Sequence, residues 1–283
     1  MKFHTGCKIN LGLHILGKRT DNYHELHSLF CPLKEPSDIL DIEIIKHPEI
    51  TVKCDNKFVD PTNNSLTKTY YIFKQNASDI KGVEINLEKI IPPGSGLGGA
   101  SADSACLLKF LNSQIKNPLD NKKLSEIALS IGADVPFFLY NKPAMVKGIG
   151  EKIFPINYNF SNIMLIVIIP EVHVSTAWAF TNYLTKNAHK DIGTFFSDAL
   201  DDELKYWNIV NDLEDTVFNK YLELKTIKLE LLEHGVDIAC MSGTGSAIFG
   251  LCKNSQKKAQ NIANKMRLKY KRTYLMNLEN NGM

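Results

Sequence analysis

The sequence predicts an α+β fold with α/β-type interleaving of strands and helices. Its 283 residues are too many for one small core, so we expect two domains or one large unit. Hydrophobic residues make up 44% and charged residues 23% of the chain, which is ordinary for a globular protein and argues against disorder. Segments with strand periodicity alternate with helical segments throughout, and this alternation indicates the fold class.

Strand and helix patterns follow one another along the chain. Residues 9–15 alternate apolar and polar side chains as a half-buried strand does, and residues 17–22 have the composition of a turn. Apolar periodicity and capping residues predict helices over 65–75, 101–112, 124–131, 175–183, 217–233 and 256–270. Strands are predicted over 29–33, 40–45, 83–87, 137–140 and 163–169, and on both sides of a glycine loop at 242–246.

Charge and cysteine content exclude several classes of protein. Lys and Arg total 33 and Asp and Glu total 31, so the net charge of +2 disfavours a nucleic-acid or membrane-surface binder. Because only Arg19, Arg267 and Arg272 are arginines, we expect lysine or backbone N–H groups to hold any anion. The six cysteines form no C-x-x-C pair, which indicates reduced thiols in a cytoplasmic protein rather than a zinc or redox site.

The most informative segment is a glycine-rich loop that leads into a predicted helix. Its glycines allow positive φ and close backbone approach, and the helix start adds N–H groups and a positive dipole end, which together suit phosphate. The loop lacks both the Lys-Ser/Thr of a Walker A motif and the spacing of a dinucleotide fingerprint. A flexible connector is the alternative. The candidate nucleotide-binding residues are Pro92, Pro93, Gly94, Ser95, Gly96, Leu97, Gly98, Gly99, Ala100, Ser101 and Ala102.

This loop resembles the ATP loop of the GHMP kinase superfamily, which includes galactokinase, homoserine kinase, mevalonate kinase and phosphomevalonate kinase. Lys8-Ile9-Asn10 resembles the first motif of that superfamily, and residues 242–246 resemble the third, in the expected order. The resemblance implies a two-lobe fold with a deep cleft between an ATP-binding lobe and a substrate lobe. It implies an N-terminal ATP-binding domain over 1–155 and a C-terminal domain over 156–283, with 242–246 lining the shared cleft.

Two further segments resemble a narrower family, the 4-diphosphocytidyl-2-C-methyl-D-erythritol kinases. Residues 17–26 resemble its G-x-R-x-D-G-Y-H-x-L segment, and residues 132–138 resemble its G-A-D-V-P-F-F segment. The chain departs from the family at Asn22, where Gly is usual, and at Ala100, where a third consecutive Gly is common. Asn tolerates left-handed backbone better than most residues, so we expect the first change to be mild.

The resemblance implies transfer of the γ-phosphoryl group of ATP to the tertiary 2-hydroxyl of the cytidine-linked methylerythritol. Asp134 corresponds to the catalytic base of the family, and a carboxylate can accept the proton of a weak hydroxyl nucleophile. Lys8 corresponds to the lysine that orients the hydroxyl and stabilises developing negative charge. Taken without the resemblance, a turn cap is the commoner role for an Asp such as Asp134, and a strand lysine such as Lys8 is more often solvated than catalytic.

The remaining site residues also come from the resemblance. At the cytidine end an aromatic ring can stack on the base and a histidine can bond its edge, and the implied substrate contacts are Asn10, Tyr23, His24, Thr176 and Phe180. The implied nucleotide contacts outside the loop are Asn64 and Lys89, which could equally be surface residues. Mg²⁺ is expected with ATP because phosphate charge must be neutralised, and the sequence names no protein ligand for it.

Several other functions remain as alternatives. A mevalonate-, homoserine- or shikimate-type kinase keeps the fold and changes the acceptor, and a diphosphomevalonate decarboxylase-like lyase also expels carbon dioxide. The pair Tyr23-His24 argues against both, because neither binds a cytosine. Near-balanced charge and the presence of Lys8 and Asp134 disfavour a non-enzymatic ATP- or RNA-binding relative. We expect small-molecule partners, no nucleic acid or membrane, and a monomer or homodimer.

Overall fold

The structure is a computed structural model, and it describes residues 1–54, 59–156, 159–184 and 209–278. The chain separates into two compact units that interleave along the sequence. Unit 1 comprises Met1–Cys7, Pro36–Pro93 and Gly98–Asn141, and unit 2 comprises Lys8–Glu35, Gly94–Leu97 and Lys142–Met283. This partition differs from the expected division at residue 155, because the first two strands and the glycine loop each contribute to both units.

The described residues form ten strands and eight helices. The strands are β1 (Lys2–Lys18), β2 (His24–Ile45), β3 (Ile50–Lys53), β4 (Gly82–Glu88), β5 (Ala144–Gly148), β6 (Lys152–Pro155), β7 (Ile163–Ile168), β8 (Ile238–Met241), β9 (Ile248–Lys253) and β10 (Thr273–Asn277). The helices are α1 (Ser65–Asn76), α2 (Gly99–Gln114), α3 (Asn121–Ile131), α4 (Val135–Tyr140), α5 (Thr176–Thr181), α6 (Glu214–Lys220), α7 (Leu222–Glu233) and α8 (Gln256–Lys269). Among these helices, none is long and apolar enough to cross a bilayer.

In unit 1, helices α1 to α4 pack on one another beside a small sheet. Strand β4 pairs antiparallel with residues 39–45 of β2 and parallel with β3. Helix α1 packs on α2 and β3 and buries Tyr70 and Phe73, whereas α2 packs on α4 and buries Phe137. Burial of these large aromatic side chains is a main source of stability. The packing holds the start of α2, which follows the glycine loop, and the start of α4, which follows Asp134, in one unit.

Unit 2 is built on an antiparallel sheet in the order β10-β7-β9-β8. Helix α7 packs on β8 and β9, and α8 packs on β10, β7 and β9. Strand β1 contributes Leu13 and Ile15 to the same apolar core as Ile166 and Ile168 of β7. Residues 7–15 of β1 are all buried, so this part of the strand is not half-buried as its alternating sequence predicts.

Most predicted elements are confirmed, but two differ from the structure. The predicted strand over 137–140 is wrong, because these residues belong to helix α4, which has Pro136 in its first turn and ends at a left-handed Asn141. A short apolar run is compatible with a buried helix as well as a strand, and a proline favours a helix start. The predicted single helix over 217–233 is two helices, because Tyr221 leaves helical geometry at φ −119° and ψ 75°.

Buried His27 on β2 makes the stability of the fold depend on pH. Burial, with the nearby charges of Lys147 and His14, lowers the pKa of His27 from 6.5 to about 4. The unfolded chain therefore binds this proton more readily, so the contribution of neutral His27 to stability is present above pH 6.5 and is lost as the pH falls towards 4.

We predict that the free energy of unfolding falls by up to about 2 kcal/mol between pH 7 and pH 5, at about 1.4 kcal/mol per pH unit of separation. His27→Gln should remove most of this fall, because glutamine does not titrate. Urea denaturation at the two pH values measures the effect, with His4→Gln at an exposed position of β1 as the control. An equal fall in His27→Gln and in the parent protein would contradict the prediction.

Candidate active site

Lys8 lies in a buried polar cluster on β1. Lys8 and Asn10 are only 3% and 2% exposed. The Lys8 ammonium donates to Asn10 Oδ1 and, over 2.9 Å, to the Gly96 carbonyl, and it lies 4.8 Å from the centre of the Phe30 ring. Asn10 Nδ2 donates to the Ser28 hydroxyl at 3.1 Å, which leaves the amide oxygen for Lys8. A buried charge is costly unless it is hydrogen-bonded, so this arrangement argues against a solvated strand lysine.

The glycine loop reaches Lys8 through its residues 94–97. The Leu97 carbonyl accepts a 2.9 Å hydrogen bond from the backbone N–H of Lys8. Gly96 has a φ of +75°, and a Cβ on this residue would lie 2.1 Å from the Ser242 carbonyl oxygen. Such an overlap is not tolerated, so only glycine permits the approach. The Gly96 carbonyl can therefore reach the Lys8 ammonium because residue 96 has no side chain.

The glycine loop at 242–246 completes this cluster. The Ser242 hydroxyl accepts a 3.2 Å hydrogen bond from the backbone N–H of Asn10 and donates one of 3.2 Å to the Gly96 carbonyl. Gly243 has a φ of +56°, and a Cβ there would lie 3.1 Å from Asn10 Oδ1 and 3.4 Å from Lys8 Nζ. Three motifs that are far apart in the sequence therefore meet within unit 2.

The second part of the glycine loop begins helix α2 in unit 1. Gly98 precedes the helix in left-handed conformation, at φ +72°, and its carbonyl accepts 3.0 Å hydrogen bonds from the backbone N–H groups of Ser101 and Ala102. A helix of 16 residues presents its first-turn amides and its positive dipole end here. Ala100 is exposed in this first turn, so its methyl group is accommodated where the family often has glycine.

Lys89 belongs to a buried group of charges beside the loop in unit 1. Its side chain is 3% exposed, and its ammonium pairs with the carboxylates of Asp38 and Asp103, the latter at 2.9 Å. Asp38 also accepts the backbone N–H groups of Ile90 and Ile91 at 2.6 and 2.7 Å. Burial lowers the pKa of Lys89, but Asp103 and Asp38 outweigh it, so the net pKa is raised. The ammonium is thus committed to two carboxylates, and its nucleotide contact stays a prediction.

Two other predicted residues stand at helix starts in unit 1. Asn64 caps α1, because its side-chain oxygen accepts the Thr67 N–H at 3.0 Å and its amide donates to the Asp60 carbonyl at 2.8 Å. Capping accounts for Asn64 without any ligand. Half-buried Asp134 precedes α4, yet its side chain makes no capping hydrogen bond to the described first turn of that helix.

His24 and Phe180, two predicted substrate contacts, come together in unit 2. Their rings stack with 5.3 Å between centroids and 23° between planes, and Tyr183 meets His24 edge-on at 6.1 Å. Burial and the charge of Lys18 lower the pKa of His24, so at neutral pH the ring can both donate and accept a hydrogen bond. Tyr23, next to this group in the chain, is 59% exposed.

Several residues that support the site are not apparent from the sequence alone. The predicted contact Thr176 has its hydroxyl 3.2 Å from that of Thr244, in the third motif. Asn211 donates to two backbone carbonyls of that same region and is 2% exposed. Asp38 and Asp103 hold Lys89, as described above. In the sequence, such a residue is visible only as a polar residue within an otherwise apolar strand or helix face. The pattern does not show which residue it contacts.

Two family patterns match the chain. Residues 64–142 match the pattern described as GHMP kinases N terminal domain, and residues 191–272 match the one described as GHMP kinases C terminal.

Three curated relatives carry the name 4-diphosphocytidyl-2-C-methyl-D-erythritol kinase. The protein from Nitratidesulfovibrio vulgaris (Hildenborough) is 38% identical over 260 residues, which cover 87% of this chain and 88% of the relative. The protein from Lawsonia intracellularis is 40% identical over 273 residues, covering 88% and 87%. The protein from Clostridium botulinum (strain Hall) is 36% identical over 276 residues, covering 95% and 96%.

Solved structures agree with these relatives. A crystal structure of 4-(cytidine 5'-diphospho)-2C-methyl-D-erythritol kinase matches with a TM-score of 0.80 and 30% identity, covering 97% of this chain and 98% of that one. A homoserine kinase from Cytophaga hutchinsonii matches with a TM-score of 0.76 and 18% identity, covering 99% and 95%. The second match shows a shared fold alone.

Proposed function

This chain belongs to the 4-diphosphocytidyl-2-C-methyl-D-erythritol kinase family of the GHMP kinases, and on that premise we propose the reaction it catalyses. The enzyme transfers the γ-phosphoryl group of ATP to the 2-hydroxyl of 4-diphosphocytidyl-2-C-methyl-D-erythritol, giving the 2-phosphate and ADP. The step belongs to the non-mevalonate route to isoprenoid precursors. The observation that carries the proposal is the buried Lys8 ammonium, held where the three family motifs meet in unit 2.

The glycine loop supplies the binding site for the ATP phosphates in this proposal. Residues 94–102 contain four glycines, and the loop leads into the N-terminus of α2. Backbone N–H groups and the helix dipole favour phosphate at such a position without arginine side chains. This suits a chain in which 30 of the 33 basic residues are lysines.

In this proposal Lys8 and Asp134 have different roles towards the acceptor hydroxyl. Phosphoryl transfer has a loose transition state, so positioning and electrostatic stabilisation dominate. Asp134 accepts the proton of the 2-hydroxyl as the new O–P bond forms. Lys8, whose charge is desolvated, orients the same hydroxyl and stabilises negative charge that develops on it. Hydrogen bonds from Lys8 to Asn10 and Gly96 limit its motion, which favours a single orientation.

The aromatic group of unit 2 recognises the cytidine end. Tyr23 stacks on the cytosine, the neutral His24 ring bonds its edge, and Phe180 closes over it. Support comes from the juxtaposition of His24 with Phe180, which the sequence separates widely. Thr176 and Asn10 contact the remainder of the substrate.

The cation and the setting complete the proposal. We place Mg²⁺ on the ATP phosphates as part of the substrate, because the phosphate charge must be neutralised during transfer. Asn64 and Lys89 approach the nucleotide in this proposal. The near-balanced charge favours small nucleotides over a polymer. The enzyme acts in the cytoplasm as a monomer or homodimer.

An acceptor comparison tests the proposed substrate. ADP formation is measured with the cytidine-linked methylerythritol, with mevalonate, with homoserine and without acceptor. We expect turnover with the cytidine-linked compound at least about 100-fold above the others, because only this acceptor offers a base to the aromatic group. Turnover with mevalonate or homoserine and none with the cytidine compound would replace this proposal with another GHMP-type kinase.

Asp134→Asn tests the proposed base. The variant keeps the shape of the side chain and removes its charge, so we expect kcat to fall by at least about 100-fold, with the KM for ATP within about threefold of the parent. Asp120→Asn is the matched control, because Asp120 caps α3 in the same unit and asparagine caps helices equally well. Near-parental turnover of Asp134→Asn would remove Asp134 from the mechanism.

A further inference from the structure

We propose that Asn211 is a positioning residue, which orients Lys8 for phosphoryl transfer by holding the third glycine-loop motif against it. The inference rests on the proposed role of Lys8. Asn211 lies in unit 2 and is 2% exposed, so its side chain is shielded from solvent. It acts through the backbone of residues 241–243.

The Asn211 amide holds both sides of Ser242. Its Nδ2 donates to the Met241 carbonyl at 2.8 Å and to the Gly243 carbonyl at 2.7 Å. Its Oδ1 accepts the Leu213 backbone N–H at 3.0 Å, which fixes the amide with its nitrogen towards the two carbonyls. A single NH₂ group therefore determines the path of the chain on either side of the serine that bonds to Asn10.

The segment that carries Asn211 is itself attached to the strand of Lys8. Val210 accepts the Leu13 N–H at 2.8 Å, and the N–H of Asp212 donates to the Leu13 carbonyl at 2.9 Å. The Asp212 carboxylate also accepts the Ile15 N–H at 2.7 Å. Because β1 carries Lys8 as well, Asn211 holds the loop in a fixed position relative to the strand that bears the cation.

The loop in turn determines the surroundings of Lys8. Gly243 approaches Lys8 and Asn10 so closely that even a methyl group would crowd them, and Ser242 bonds to Asn10 and Gly96. Without the Asn211 amide donor, the buried Met241 and Gly243 carbonyls lose a hydrogen bond. This loss is unfavourable enough to displace the loop at 242–246. Displacement of the loop weakens the hydrogen bonds of the Lys8 ammonium to Asn10 and Gly96. Lys8 then no longer holds the substrate 2-hydroxyl in line for transfer. Ser242 also touches the candidate binding residues Asn10 and Gly96, but Lys8 acts during transfer itself, so we expect the larger effect on kcat.

Asn211→Asp separates this role from simple packing. The variant keeps the shape and the oxygen that bonds to Leu213, and it replaces the donor nitrogen with an acceptor oxygen. We expect kcat at pH 8 to fall at least about 30-fold, with both KM values within about threefold. The introduced carboxyl is buried against carbonyl oxygens, so its pKa is raised and its protonated form donates one hydrogen bond. The kcat of the variant relative to the parent should therefore rise as the pH falls towards 6.

Two further variants complete the experiment. Asn211→Ala should show a similar fall in kcat. The ratio of its kcat to that of the parent should not change with pH, because alanine has no group that could donate the hydrogen bond. Asn277→Asp is the matched control, because the Asn277 amide donates to the Ser161 carbonyl at 2.8 Å on the edge strand β10, and it should stay within about twofold. If Asn211→Ala fails to fold, Asn211→Asp carries the test.

The outcomes distinguish this inference from the proposed function. A parent enzyme that does not phosphorylate the cytidine-linked compound contradicts the function itself. An active parent with a folded Asn211→Asp variant whose kcat stays within about threefold overturns only the positioning role, and so does a loss that falls entirely on KM. The positioning role is also overturned if the kcat of Asn211→Asp does not recover at low pH and the Asn277→Asp control loses a similar share of kcat.

Discussion

The arrangement of the site in unit 2 depends on the hydrogen bonds of the buried Lys8 ammonium. A cation without solvent needs acceptors with good geometry, and the fold supplies them from Asn10 and from the Gly96 backbone. Those acceptors can approach only because residues 96 and 243 have no side chains. The conformational freedom of glycine is therefore used here for close approach of backbone to a charged group, as well as for turning the chain.

The same principle organises the other half of the glycine loop. In unit 1 the segment before the loop is held by Asp38, which binds two backbone N–H groups and the Lys89 ammonium, while Asp103 anchors the same ammonium to α2. Burial raises the pKa of Asp103, and the Lys89 charge opposes this rise. Each part of the loop is thus attached within its own unit to a buried, hydrogen-bonded lysine. Rigid attachment suits a loop that binds phosphate through its backbone.

The sequence predicted the parts of this site whose chemistry is local. The glycines before a helix and the apolar spacing of α3 each depend on residues close together in the chain. Partnerships between distant residues were not predictable, because a pattern shows that a polar residue is buried but not what it contacts. Asp38 and Asn211 were missed for this reason. The misassigned strand at 137–140 has a related cause, since a short apolar run does not distinguish a buried strand from a buried helix.

Substitution at Gly96 tests most directly whether backbone approach to Lys8 controls catalysis. Gly96→Ala introduces a Cβ at 2.1 Å from the Ser242 carbonyl, whereas no described atom lies within 4 Å of the corresponding position at Gly17. The measurement is kcat/KM for ADP formation with the cytidine-linked substrate, alongside thermal unfolding. We predict a fall of at least about 100-fold for Gly96→Ala in a folded protein and less than about twofold for Gly17→Ala. Equal activity of the two variants would contradict it.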